Sequence, residues 1–329
     1  MRLALSASLM VVLMAGSAHA AEWRAQRIAT PARVTAVETV DGQARVNAGG
    51  LWYRIELNDN GAALVFADAL SKADMPEGAL PDGRVTTGTR DVARAWLGDP
   101  TDRYGHGVLG DRIEASSLVI EARDGKRHIV RLKNDAVFED LEPRLADLDG
   151  DGHDEIVVVK SYLKQGSALA VIALRQGRYD IVAETTPLAS PNRWLNPAGI
   201  GDFTGGGKIG IALVRQPHVI GELELWIWSD NRLRRIATLP GLTNHIIGSR
   251  ALHMAAVADF DGNGVIDIAL PSLDRGRLRI VSFAPARDIA EIALPSKAAT
   301  NTAVIAMTSG PPALALGLSD GSLALVRRD

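Results

Sequence analysis

Three Asp-rich stretches that align with one another constrain this chain more than any other feature. Residues 145–159, 199–213 and 257–271 align on their leading aspartates, Asp147, Asp202 and Asp259, which stand 55 and 57 residues apart. A regular period of this size means stacked supersecondary units, because one such unit cannot bury its apolar face alone. Behind each Asp loop the same order of apolar runs follows. Ile156–Lys160, Ile209–Arg215 and Ile266–Ser272 come first, then Ala168–Leu174, Glu222–Trp228 and Arg277–Phe283. Tyr179–Glu184, Leu233–Leu239 and Ile289–Pro295 complete the three repeats. Short runs with β-branched and aromatic content, the first two of each repeat separated by glycine-containing turns, predict antiparallel strands. An apolar stretch ahead of each aspartate, such as Ala255–Ala258, adds a fourth and innermost strand. Four strands per repeat make one propeller blade.

The period extends outward. Val92–Leu97, Arg112–Ala122 and His128–Leu132 predict a blade before the first Asp loop, and Arg33–Val40, Leu51–Leu57 and Ala62–Asp68 another before that. At the far end Ala303–Thr308, Pro312–Leu318 and Ser322–Arg328 supply only three strands, the last two joined by an Asp320-Gly321 turn. Trp23–Ile28 is therefore expected to complete the final blade as its outer strand. The expectation is an all-β chain forming a single β-propeller of four-stranded antiparallel blades. Six blades fit the length best, with five and seven as the bounds. No linker divides it, so residues 21–329 read as one domain.

Residues 1–20 read differently. Arg2, the apolar run Leu3–Met14 and the small-residue site Ala18-His19-Ala20 have the layout of a secretory signal peptide. The run is too short to span a bilayer. A periplasmic or secreted location follows, with no membrane insertion. Its removal leaves 309 residues and lowers the net charge from −3 to −4, since the segment holds one arginine and no acid. That balance gives no reason to expect nucleic acid as a partner. The chain has no cysteine, which removes disulfides, thiol nucleophiles and thiolate metal sites together.

The Asp loops carry the clearest chemistry. Asp147, Asp149, Asp151 and Glu155 occupy positions 1, 3, 5 and 9 of the first loop, with the His153 carbonyl at position 7. Asp259, Asp261, Asn263 and Asp267, with the Val265 carbonyl, repeat that spacing in the third. Calcium takes six to eight hard oxygen ligands, and alternating carboxylates on a tight glycine turn can wrap one ion. Two Ca²⁺ sites are expected, the one with Asn263 being the weaker. Position 12 is Val158 or Leu270 inside a strand-like run, which excludes the helix-flanked EF-hand with its Glu at that position. The middle loop keeps Asp202 but has Thr204, Gly206 and Gly210 at positions 3, 5 and 9. It is expected to hold no calcium, the Lys208 ammonium serving as an internal cation.

In these loops the chain resembles the FG-GAP, or VCBS, repeats that build the propeller of integrin α subunits and of many exported bacterial proteins. The resemblance runs from Leu145 to Leu270. It implies that calcium is structural and ties the loop between the inner strands of a blade.

Polar residues also gather in the connections between blades, which meet at one mouth of a propeller. His106, Arg193, Trp194, Asn196, His218, Asn244, His245 and Arg250 are the candidate ligand-binding residues there. The alternative is that Trp194 packs between blades while the Asn and His side chains satisfy loop backbone. The expected function is a binding module for a protein or glycan. An alternative is a hydrolase or lyase using the mouth histidines and Arg193, where His106, His218 and His245 would suit zinc if they met. A purely structural part of an envelope assembly is the third reading. Ser161-x-x-Lys164 is the one further catalytic echo, and it falls in a hairpin.

Overall fold

A computed structural model describes residues 22–58, 61–70 and 74–329, so the expected signal peptide lies outside the described residues. Every regular element in them is a strand. β1 (Trp23–Ile28) leads, and β2 (Val34–Val40), β3 (Gln43–Ala48), β4 (Leu51–Asn58) and β5 (Gly61–Ala67) form a four-stranded meander. Then come β6 (Thr86–Thr87), β7 (Val92–Thr101), β8 (Glu114–Ala122) and β9 (Arg127–Arg131). β10 (Ala136–Phe138), β11 (Arg144–Ala146), β12 (Glu155–Tyr162), β13 (Gly166–Arg175) and β14 (Arg178–Glu184) share one nine-stranded sheet with them. The two sets are joined by β10, which pairs β12 along its length and touches β8 at Phe138 and Ala115.

Two more four-stranded sheets follow. One is β15 (Leu195–Gly201), β16 (Gly210–Arg215), β17 (Glu222–Ser229) and β18 (Arg232–Leu239). The next is β19 (Ala256–Ala258), β20 (Asp267–Pro271), β21 (Arg277–Phe283) and β22 (Ala286–Ala293). The last set, β23 (Ala298–Ile305), β24 (Ala313–Leu318) and β25 (Leu323–Arg328), is completed by β1, which pairs β25 from Trp23↔Arg328 to Ile28↔Leu323. The N-terminal strand thus closes the C-terminal sheet from its outer side.

The sheets stand radially, as in a β-propeller. Inner strands β12, β15, β19, β23 and β2 neighbour one another in that order, and so do outer strands β9, β14, β18, β22 and β1. Burial patterns follow from this. β12 and β13 are sandwiched on both faces, so they read as nearly unbroken buried runs rather than alternating ones. The outer strand β18 instead shows Arg232, Arg234 and Arg235 to solvent, and a charged edge of this kind discourages pairing with another chain. Apolar clusters fill each interface: Val37 and Val46 against Ala315 and Leu325, Leu278 and Ile280 against Leu314 and Leu316, Ala212 and Leu225 against Ile268 and Val281.

The repeat also fixes where its loops sit. Position 2 of each Asp loop is apolar and buried: Leu148, Phe203 and Phe260. Phe203 packs edge-on against Phe283 of the next sheet, and Phe260 against Trp23, each at 6.0 Å between ring centroids. Burying one such ring contributes roughly 1.5–3 kcal/mol, enough to clamp each loop onto its neighbour. Asp loops and the β13–β14, β17–β18 and β21–β22 turns share one end of the molecule. The β12–β13, β16–β17 and β20–β21 turns meet the sheet-to-sheet connections at the other, through bonds such as Ser167 N to Arg193 O and Leu242 N to Gly221 O.

Candidate functional site

At the first end, the two acidic loops fold in the same way. Asp147 Oδ1 accepts from Gly150 N at 2.7 Å and its Oδ2 from Gly152 N at 3.1 Å. Asp259 does the same with Gly262 N at 2.7 Å and Gly264 N at 2.8 Å. Asp149 accepts from Asp151 N and Asp261 from Asn263 N, both at 3.2 Å. Asp151 then accepts from His153 N at 2.9 Å and Asn263 from Val265 N at 2.7 Å. At position 9, Glu155 accepts from Leu148 N at 2.9 Å and Asp267 from Phe260 N at 3.0 Å. Gly150, Gly152, Gly262 and Gly264 all take positive φ, between 79° and 89°, which residues with a Cβ rarely adopt.

Oxygens of Asp147, Asp149 and Asp151 come within 4.8 Å of one another, and so do those of Asp259, Asp261 and Asp267. Burial, added to by the charges of Asp149 and Asp151, pushes Glu155 up to about 7. Burial with Asp261 and Asp259 nearby pushes Asp267 up to about 6. Asp267 is fully buried, and its Oδ1 has no hydrogen-bond partner. Hard oxygen donors, mutual repulsion and an orphaned buried carboxylate oxygen together fit a divalent cation such as calcium. Arginines stand just outside: Arg90 is 3.8 Å from Asp147, Arg175 3.9 Å from Asp149 and Arg287 3.6 Å from Asp261. The His153 imidazole turns away to Asp91 at 3.2 Å, a bond that raises its pKa.

The middle loop has the same turn without the cluster. Asp202 Oδ1 accepts from the Thr204 amide and hydroxyl, both at 3.1 Å, and Oδ2 from Gly207 N at 2.6 Å. Burial works against its ionisation, yet these donors outweigh it and hold the carboxyl below its usual range. One expectation is corrected here. Lys208 is exposed, and among the described residues no ion pair joins it to Asp202. Backbone amides, nearer and already ordered by the turn, serve the carboxylate that the ammonium was expected to serve.

At the opposite end the mouth residues do assemble. His218 Nε2 meets His245 Nδ1 at 2.9 Å, and His245 Nε2 meets the Ser249 carbonyl at 2.9 Å. The two bonds together make His245 Nε2 the protonated nitrogen, donating to the Ser249 carbonyl, and His218 Nε2 the donor to His245 Nδ1. Both rings lie on Trp194, His218 stacked at 6.1 Å and His245 edge-on at 4.7 Å. Burial drives their pKa values down, His218 to about 3, helped by His245 and His106, and His245 to about 4. Trp194 Nε1 donates to the Glu139 carbonyl at 3.0 Å, and Glu139 Oε1 holds His106 Nδ1 at 2.6 Å. Asn196 and Asn244 exchange side-chain bonds with each other's backbone carbonyls, at 3.4 and 3.1 Å.

Of the eight mouth residues, Trp194, Asn196, Asn244 and His245 are almost wholly buried, and Arg193 is exposed. Arg250 reaches across to Asp82 and Asp111, each at 2.8 Å. Beside it, His253 meets Glu142 at 2.7 Å. Burial would raise Glu142, but His253, Arg144 and Arg84 hold it down to about 2. The three-histidine zinc arrangement does not form. The nitrogens of His218 and His245 that face each other are spent on one another, and His106 Nδ1 is spent on Glu139. Groups able to converge on a metal are, among the described residues, the two Asp clusters. Ser161 is buried and bonded to Glu139 and Ser167, while Lys164 is exposed.

Sequence reasoning missed two buried acids beneath the mouth. Glu139 is fully buried, and burial raises its pKa against the pull of His106. Glu114 is 1% exposed, and burial with Glu139 nearby pushes it up to about 10. A carboxylate flanked by apolar residues, as in Phe138-Glu139-Asp140-Leu141, was the available signal.

No family model matches the chain, and no curated protein sequence does. Solved structures do. A rhamnogalacturonan lyase, YesW, aligns over 94% of this chain and 68% of its own, at 14% identity and a TM-score of 0.49. An exotype rhamnogalacturonan lyase, YesX, aligns over 84% of this chain and 52% of its own, at 15% identity and a TM-score of 0.44. BamB from Moraxella catarrhalis aligns over 88% and 71%, at 11% identity and a TM-score of 0.39.

Proposed function

We propose that this chain is an exported, calcium-stabilised propeller of the FG-GAP/VCBS kind, with six blades, acting as a binding module for a protein or glycan. The observation that carries the reading is the middle loop. It makes the same turn with Asp202 as its single acid and the Thr204 hydroxyl at position 3, so the turn does not require acids at positions 3, 5 and 9. The first and third loops nevertheless gather such acids against their mutual repulsion, and Asp267 leaves a buried oxygen unused. A cation relieves both costs. In this reading Asp147, Asp149, Asp151, the His153 carbonyl and Glu155 hold one Ca²⁺. Asp259, Asp261, Asn263, the Val265 carbonyl and Asp267 hold the other. Calcium there ties the inner strands of two blades, leaving the opposite end free to meet a partner.

Calorimetric titration of the mature protein with calcium tests it. Two sites are expected, one removed by Asp149→Ala and the other by Asp261→Ala. Wild-type protein that takes up no calcium would end the reading.

A second reading, a hydrolase or lyase, has one observation in its favour. His106, His218 and His245 gather around Trp194 and Glu139. His106, partly exposed and backed by a buried carboxylate, would be the proton carrier. Turnover of a polysaccharide by wild type, lost in His106→Gln, would replace the first reading with this one.

A further inference from the structure

A cleft of about 470 Å³ opens between the connection after β14 and the face of the β15–β18 sheet, at the end opposite the Asp loops and beside the mouth. That volume is within the range of small-ligand sites. Leu195 and Leu213, both almost wholly buried, form its floor. Glu224 and Trp226, two apart on β17 and so on one face of it, form the back wall.

The wall is rigid before anything binds. Trp226 Nε1 donates to Glu224 Oε2 at 2.9 Å. Arg235 bonds the other carboxylate oxygen, and its guanidinium lies 6.0 Å from the Trp226 ring centre. Glu224 is 3% exposed, so this three-residue lock orients a half-buried indole plate without further ordering on binding. Arg215 stands at one side, and Thr186, an exposed residue, at the rim.

We infer that this cleft binds a neutral saccharide. An indole face matches the C–H face of a sugar ring, and Arg215, Arg235 and Thr186 offer donors to its hydroxyls. Charge decides against an anionic ligand. Arg215 is paired with Glu222 at 3.1 Å and Arg235 with Glu224, so each guanidinium already has its carboxylate. A phosphate or uronate would have to displace one. Neither calcium loop contributes to the cleft, so this inference shares with the proposed function only the idea of a binding module.

The test is calorimetry of the mature protein with cello-, xylo- and malto-oligosaccharides, and with an oligogalacturonate as the acidic comparator, in calcium and in chelator. At least one neutral series is expected to bind, tenfold or more tightly than the oligogalacturonate. Trp226→Ala should weaken it at least tenfold, while calcium uptake stays as in wild type. Thr186→Val, at an exposed position that cannot unfold the chain, should weaken it several-fold. Failure of all neutral series overturns the inference, as does preference for the acidic one. So does unchanged binding in Thr186→Val. Loss of calcium uptake in wild type would instead strike the calcium reading alone.

Discussion

The loop at Asp147 and the loop at Asp202 occupy the same place in successive repeats and make the same turn, yet they solve different problems. Asp202 is satisfied by two backbone amides and a threonine hydroxyl, and its neighbours at positions 3, 5 and 9 are Thr204, Gly206 and Gly210. Asp147 is satisfied by two backbone amides as well, but it sits among Asp149, Asp151 and Glu155. The comparison separates what the fold demands from what it does not. One aspartate and a position 3 hydroxyl suffice to close the turn; the further acids also accept loop amides, but the turn forms without their charges. Room tells the same story. A Cβ on Gly210 would come within 2.8 Å of Leu225 and 3.1 Å of Ile227, so the position 9 ligand cannot be restored there without moving the core.

The largest expected effect follows from adding calcium. At about 100 times its Kd, each occupied site stabilises the fold by about 2.7 kcal/mol. Thermal unfolding with calcium against chelator should therefore show a clear upward shift in wild type. It should show about half that shift in Asp149→Ala or Asp261→Ala. An equal melting temperature in calcium and chelator would dissolve the distinction between the loops.

Next in size is the turn itself. Asp202→Ala should cost about 1–3 kcal/mol with or without calcium, because it strips partners from backbone amides. Asp259→Ala should cost more in calcium than in chelator. Denaturant melts in both conditions measure the difference, and a calcium-dependent loss in Asp202→Ala would mean the middle loop is also a metal site.

A third prediction runs the comparison backwards. Thr204→Asp combined with Gly206→Asp rebuilds positions 3 and 5 but leaves Gly210 in place. Titration should find no third site of comparable affinity. Three matched sites would show that position 9 is dispensable.

The last comparison is at the mouth, where pH is the lever. His218 and His245 have folded pKa values of about 3 and 4, below the unfolded value near 6.5. The unfolded chain then binds more protons, so their contribution is full above about pH 6.5 and is lost as pH falls toward 4 and 3. Glu114 runs the other way. Its folded pKa of about 10 lies above the unfolded value, so its contribution is full below about pH 4.5 and fades as pH rises toward 10. Melting temperature against pH should rise more gently from acid in His218→Gln and fall more gently toward alkali in Glu114→Gln. Unchanged slopes would show that these groups are solvated.

Much of the fold was legible because its signal is periodic. The runs read as strands in the three Asp repeats became β12–β14, β16–β18 and β20–β22, with ends shifted by a few residues. The outer closing strand at Trp23–Ile28 was legible from arithmetic, since the last blade was one strand short. β3 went unread: Gln43–Ala48 alternates polar and small residues too weakly to stand out. β10 was also unread, and with it the joining of two blades into one nine-stranded sheet, because three residues carry no period.

By itself the sequence determined the all-β repeat, the antiparallel meander and the spacing of carboxylates along each Asp loop. Those are local properties, set by alternation, glycine and residues a few positions apart. Only the tertiary structure decided which distant groups meet. Glu139 reaches His106 across 33 residues, His218 meets His245 across 27, and Arg250 reaches Asp82 across 168. Lys208 stayed in solvent while backbone took its place beside Asp202. Such meetings depend on how whole blades pack around an axis, and burial, which sets the pKa values of these groups, has no value until that packing exists.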